Sequence, residues 1–282
     1  MGNLDLQHIA LLIGKEEPSV IKDYLDRVAS SGLAPYKTVL QWGGKGGESL
    51  YTHVLNGIFV METLRDLLKL ADLQSRVLYT AFTVHDINKV MEQPAAFGKT
   101  ATCENVAAEI KRLQLDKFFD DWAAYAEDIT SLVRGHSGHE HSGGERWIVR
   151  HEVRYGLGLQ QVNSLLHLMR AADVADLSHT LEERVHKAHF LGHLNAYLAD
   201  SGSPVQYQFF THRLTEQRGI LSNVIHNAIA AELRERYGLT PLLYYPDGIA
   251  YLAEKGRVPA LGEEDLVRMA QPVAQTISSV TS

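Results

Sequence analysis

The stretch Val84-His85-Asp86-Ile87-Asn88-Lys89 sets an imidazole beside a carboxylate at the end of an apolar run, Val77-Leu78-Tyr79-Thr80-Ala81-Phe82. His85 follows Phe82 and Ala81 at helical spacing, so on a helix it faces their apolar side. A buried His next to a buried Asp opposes folding unless something compensates both. A metal ion does so, because it takes neutral imidazole nitrogen and carboxylate oxygen together. Lys89 stands one turn beyond Asp86, either as a helix-end cation or facing anionic charge on a substrate.

Three further segments aim metal-capable side chains at an apolar face. His53 falls in the first turn of a helix expected over Leu50–Leu70, beside the stripe Val54, Leu55, Ile58, Met61, Leu64 and Leu68. A helix beginning near Asp121 carries Trp122, Tyr125, Ile129, Leu132 and Val133 inward, and His136 is next on that face. The chain is then expected to break into a Gly/Ser-rich loop, Gly135 to Gly144, where His136, His139 and His141 can swing toward a common centre. A helix over Leu157–Ser178 carries Val162, Leu166 and Met169, with Asp173 next on the stripe and no Lys or Arg on that face. Any one of these residues alone reads as a satisfied core side chain. Together they imply a metal site, and mixed His and carboxylate donors suit Mn, Fe, Co, Ni or Zn better than Ca, with Mg still possible. The other histidines (His167, His179, His186, His189, His193, His212 and His226) acquire no role, and His186 with His189 reads as a solvated helix face.

Helices must position these groups, and the expected fold is all-α. Residues 1–41 read as one or two helices, with a start at Pro18-Ser19 and a stop at Ser30-Ser31-Gly32. The glycine-rich 42–49 lacks a GK[ST] ending and reads as a connector or lid. Pro94 closes the His-Asp helix, another helix spans Val106–Phe119, and helical sequence continues to Tyr237-Gly238. A β-hairpin is expected where Leu242–Tyr245 and Ile249–Leu252 flank Pro246-Asp247-Gly248, followed by a helix from Glu263. The expected division is a helical domain over 1–238 and a hairpin-plus-helix piece over 239–282, the start of a second, truncated domain.

A composition of 45% hydrophobic and 22% charged residues is that of a globular protein. The net charge of −7 argues against a free-standing nucleic-acid binder held by a basic surface, but not against a nuclease fed by other subunits. A single cysteine, Cys103, excludes internal disulfides and suits the reducing cytoplasm. Ile9–Ile13 is too short to span a bilayer, so no membrane partner is expected.

The order His53, His85-Asp86, His136, Asp173 resembles the H…HD…H…H…D pattern of the HD metal-dependent phosphohydrolase superfamily, with Asp86-Ile87-Asn88-Lys89 close to its HD-x-G-K variant except for Asn88 in place of glycine. Finer motifs resemble the N-terminal HD nuclease domain of the large subunit of type I-D CRISPR interference complexes. These are Thr52-His53-Val54-Leu55-Asn56-Gly57, His136-Ser137-Gly138-His139, Arg170-Ala171-Ala172-Asp173, Arg218-Gly219-Ile220-Leu221-Ser222-Asn223 and Tyr245-Pro246-Asp247-Gly248-Ile249-Ala250-Tyr251-Leu252. The resemblance covers essentially the whole chain but only the front of a longer family member. It implies an HD-type helical bundle and a metal-dependent deoxyribonuclease cutting single-stranded or unwound target DNA. The implied partners are guide-RNA complex subunits and a separate helicase. It further implies one or two divalent transition metals. The first would be held by His53, His85, Asp86 and Asp173, the second by Asp86, His136 and His139 or His141, with Lys89 neutralising phosphoryl charge. Two other functions compete with it: a phosphohydrolase of free nucleotides, and a non-catalytic HD scaffold that docks complex subunits, against which the intact ligand set speaks.

Overall fold

The computed structural model describes residues 18–40, 49–90, 103–141, 155–176, 183–211, 231, 233–245, 248–254, 264, 268 and 271. Within them the chain is mostly helical with a small antiparallel sheet, the architecture its sequence pattern leads one to expect. It divides into two compact units, Met1–His193 and Leu194–Ser282. Residues 41–48, the Ile9–Ile13 run, Pro94 and the Arg218–Asn223 motif lie outside the described residues, as do the side chains of Asn88, Cys103, His139 and His141.

In the first unit, α1 (Val20–Ser31) begins at Ser19, whose hydroxyl accepts from the Lys22 N–H at 3.3 Å. It ends at Gly32, which adopts φ +98° and returns its N–H to the Val28 carbonyl. Val20, Ile21, Tyr24, Leu25 and Val28 are buried, one face of a 3.6-residue period. α2 (Leu50–Leu68) is capped by Ser49, which accepts from the Thr52 N–H at 3.2 Å. α3 (Asp72–Val84) is buried continuously from Val77 to Val84, the mark of a central helix. The His85-Asp86 turn follows it, and then the single-turn helix α4 (Ile87–Val90).

The segment expected as one helix over Val106–Phe119 is two elements, α5 (Cys103–Arg112) and a 3-10 turn at Leu115–Phe118. They are separated by Gln114 in the left-handed region at φ +57°. α6 spans Trp122–His141 and α7 spans Leu159–Asp176. α3 packs against α1, α2, α5, α6 and α7, and with α2, α6 and α7 it closes a ring of four helices, each packed on the next.

α6 corrects one expectation. The predicted loop from Gly135 is helical backbone through His141. Gly135 lets α7 approach: a Cβ there would lie 2.9 Å from Leu166 Cδ2. Tertiary packing outweighs the low helix propensity of the glycines. Asp128 on α6 fixes the start of α7. Buried, it accepts from the Gly156 and Leu157 N–H groups at 2.9 and 2.8 Å, and burial raises its carboxyl above the usual range despite those two bonds.

α8 (Glu183–Asp200) runs across the boundary between the units. The second unit holds β1 (Val205–Thr211), β2 (Thr240–Tyr245) and β3 (Gly248–Glu254) in the order β1–β3–β2, antiparallel throughout. β2 and β3 form the expected hairpin, with Tyr245 opposite Gly248. β1 was expected to be helical. Its pairing with β3, Tyr207 opposite Leu252, ties 205–211 to the hairpin and moves the unit boundary to 193/194, ahead of the expected 238/239. The Asn195 amide of α8 covers the other edge of β1, donating to the Tyr207 carbonyl at 2.8 Å and accepting from its N–H at 2.6 Å. No helix among the described residues is long and apolar enough to cross a membrane.

Candidate metal centre

Each helix of the four-helix ring delivers to one buried spot. His53 comes from the first turn of α2, His85 and Asp86 from the end of α3, His136 from α6 and Asp173 from α7. His53 and His85 are 0% and 1% exposed and His136 and Asp173 are 7% and 8% exposed, so water does not solvate them freely. His53 Nε2 lies 3.2 Å from His85 Nε2 and 3.1 Å from Asp173 Oδ1. His85 Nε2 is 3.3 Å from Asp86 Oδ2 and 3.6 Å from Asp173 Oδ1, and His136 Nε2 is 3.7 Å from Asp173 Oδ2. Two sets, His53 with His85 and Asp86, and His85 with His136 and Asp173, have all their donor atoms within 4.8 Å of one another and could hold a metal ion.

His85 belongs to both sets and has one nitrogen to give. Its Nδ1 lies 2.6 Å from the Phe82 carbonyl. A carbonyl only accepts, so Nδ1 carries a hydrogen and Nε2 is the nitrogen left to bind an ion once the ion displaces its proton. The described side chains could therefore hold one ion between them. A second would draw on His139 or His141, whose backbone lies in α6 and whose imidazoles lie outside the described residues.

The packing behind His85 is tight. The Phe82 ring stacks on it at 4.4 Å and 23°, and lies 5.6 Å from the His53 ring. Gly57 of α2 makes room for that ring: a Cβ there would come within 2.0 Å of Phe82 Cε1. This glycine stands inside an otherwise strong helical stripe, a signal of close approach that is present in the sequence itself.

Electrostatics match the chemistry of the donors. Burial pushes His85 down, but Asp86 and Asp173 outweigh it and raise its pKa to about 10. Burial dominates at His136 and lowers it to about 4. Burial pushes both carboxylates up, yet the imidazoles around them, and Lys89 beside Asp86, hold both well below the ordinary range. At neutral pH the metal-free cluster thus keeps Asp86 and Asp173 ionised and His136 neutral beside a protonated His85.

All five residues expected at the core of the site meet there. Lys89 sits at its margin with Nζ 2.5 Å from Asp86 Oδ2, so its charge is engaged by the cluster. His189 is exposed, as a solvated helix face requires, and His167 and His193 lie ring to ring at 6.1 Å. Arg170, one turn before Asp173, was passed over as a site residue. No protein-family model matches the chain, and no curated protein matches its sequence.

Proposed function

We propose that the cluster is the metal centre of a phosphodiesterase and that the chain is a metal-dependent deoxyribonuclease acting within a guide-RNA-directed complex. The carrying observation is the convergence of His53, His85, Asp86, His136 and Asp173 from four helices onto one buried spot. Their order along the chain is that of the HD phosphohydrolase pattern. The donor set favours Mn, Fe, Co, Ni or Zn, with Mg possible. Such an ion supplies Lewis acidity toward phosphoryl oxygen and a nucleophile at neutral pH. The chain's own groups do the rest: Asp86 and Asp173 remain ionised, His136 remains neutral, and Phe82 fixes the His85 tautomer.

The net charge of −7 gives the chain no basic footprint of its own. Recognition is assigned to guide RNA and complex subunits, strand opening to a separate helicase, and the setting to the cytoplasm. The test is cleavage of labelled single-stranded DNA with Mn, Co, Ni or Mg against EDTA, for wild type and for His85→Ala/Asp86→Ala. Metal-dependent cutting that disappears in the double variant supports the nuclease. Hydrolysis of mononucleotides with no cutting of DNA replaces it with a nucleotide phosphohydrolase. A folded, metal-loaded protein that hydrolyses neither, alone or reconstituted with its complex, is a scaffold.

A further inference from the structure

Arg27 and Arg76 of the first unit both pair with Asp23, Arg65 with Glu62 and Asp72, and Arg112 with Glu109. Arg170 differs. It makes no ion pair among the described residues. Its Nη2 donates to the Gly135 carbonyl at 3.0 Å, and its Nε is buried with no hydrogen-bond partner. Burial of this guanidinium lowers its pKa, the electrostatic sign of a cation short of compensation.

The location of Arg170 gives that shortage a direction. Gly135 immediately precedes His136, and Asp173 lies one turn beyond Arg170 on α7. Arg170 is near enough to His136 to disfavour its protonation. His136 turns Nε2 toward Asp173, and its Nδ1 is likewise buried without a partner. With Nε2 as the donor to an ion, Nδ1 carries the hydrogen. Two unsatisfied groups at the α6–α7 junction are then both hydrogen-bond donors, and a ligand that satisfies them must bring acceptors. A guanidinium fork matches the spacing of phosphoryl oxygens, which bring acceptors and negative charge together. Lys89, the other cation at the cluster, is already held by Asp86.

We propose that Arg170 is the phosphate-binding residue of this centre, forming with His136 Nδ1 an oxyanion site for the phosphoryl group of a phosphodiester. The proposal deepens the reading of the cluster as a metal phosphohydrolase and rests on it. The alternative role for Arg170 is a strut between α6 and α7 through the Gly135 carbonyl.

The test titrates the full chain with manganese and, separately, with inorganic phosphate by calorimetry, for wild type, Arg170→Gln, Arg170→Lys and His85→Ala/Asp86→Ala. The expected result is phosphate affinity reduced about tenfold or more in Arg170→Gln, with a smaller loss in Arg170→Lys, while manganese affinity stays within about twofold of wild type in both. Equal phosphate affinity in wild type and Arg170→Gln overturns the proposal, even where manganese binds. So does a joint loss of thermal stability and manganese affinity with phosphate affinity kept, the signature of a strut. Should Arg170→Gln fail to fold, Arg170→Lys decides, since it keeps the charge and loses the fork; phosphate affinity equal to wild type in it overturns the proposal. Manganese that fails to bind wild type overturns the metal reading instead, a result separate from the phosphate titration.

Discussion

The α2–α3 half and the α6–α7 half of the centre are finished differently. His85 is held on every side: its Nδ1 meets the Phe82 carbonyl, the Phe82 ring stacks on it, and Gly57 admits that ring. His136 has one nitrogen toward Asp173 and the other buried without a partner, and Arg170 beside it has a donor equally unfilled. One half reads as a preorganised anchor for an ion, complete in the free protein. The other reads as complete only when something binds. The contrast puts tight packing around His85 and unmet polarity at the α6–α7 junction, where the proposed phosphate site lies.

The largest effect is expected at the rigid half. His85→Ala/Asp86→Ala removes two of the five donors, and metal affinity is expected to fall more than about 100-fold, beyond the usual effect of altering only a ligand's support. Calorimetric titration with manganese measures it. Next, Gly57→Ala drives a methyl into the Phe82 ring. It is expected to cost about 1–3 kcal/mol in denaturant unfolding and to weaken metal binding by roughly tenfold through displacement of His85. Normal metal affinity in that variant would remove Phe82 from the account. Asp128→Ala takes the side-chain acceptor from the part-buried Gly156 and Leu157 N–H groups ahead of α7, for an expected cost of about 1 kcal/mol in the same measurement.

Gly135→Ala should be mildest. Its methyl meets the end of the flexible Leu166 side chain, and the helix gains up to about 1 kcal/mol in propensity, so stability should change by less than about 1 kcal/mol.

Acidity sharpens the same contrast. In metal-free protein His85 has its pKa raised to about 10, so its stabilising contribution is full below the unfolded value near 6.5 and is lost as pH rises through 10. His136, lowered to about 4, stays neutral where the unfolded chain takes up a proton, so stability is lost as pH falls from about 6.5 toward 4. Thermal melts in EDTA should therefore peak near pH 6.5. His85→Asn should flatten the alkaline limb and leave the acid limb in place. An unchanged alkaline limb would contradict the assignment.

Much of the centre was legible because each ligand stands at the next position of an apolar helical stripe. Periodicity alone aims His53, His85, His136 and Asp173 inward. The hairpin was legible from Pro246-Asp247-Gly248 between two β-rich runs. β1 carried a readable signal, the alternation Val205-Gln206-Tyr207-Gln208-Phe209, overlooked within a helical context. The continuation of α6 past Gly135 was not legible, since a glycine that breaks a helix and one that admits a neighbour look alike until Leu166 is placed against it. Nor were the Asp128 cap or the unfilled donors of Arg170 and His136 legible, because both are facts about neighbours distant in sequence.

The most direct test of the central claim is the metal content of the folded chain after equilibration with manganese, nickel or cobalt and removal of free ion, beside His85→Ala/Asp86→Ala. A metal centre at the four-helix ring requires at least one tightly held equivalent in wild type and none in the double variant. A folded wild type that retains no metal, or equal retention by both proteins, would contradict it.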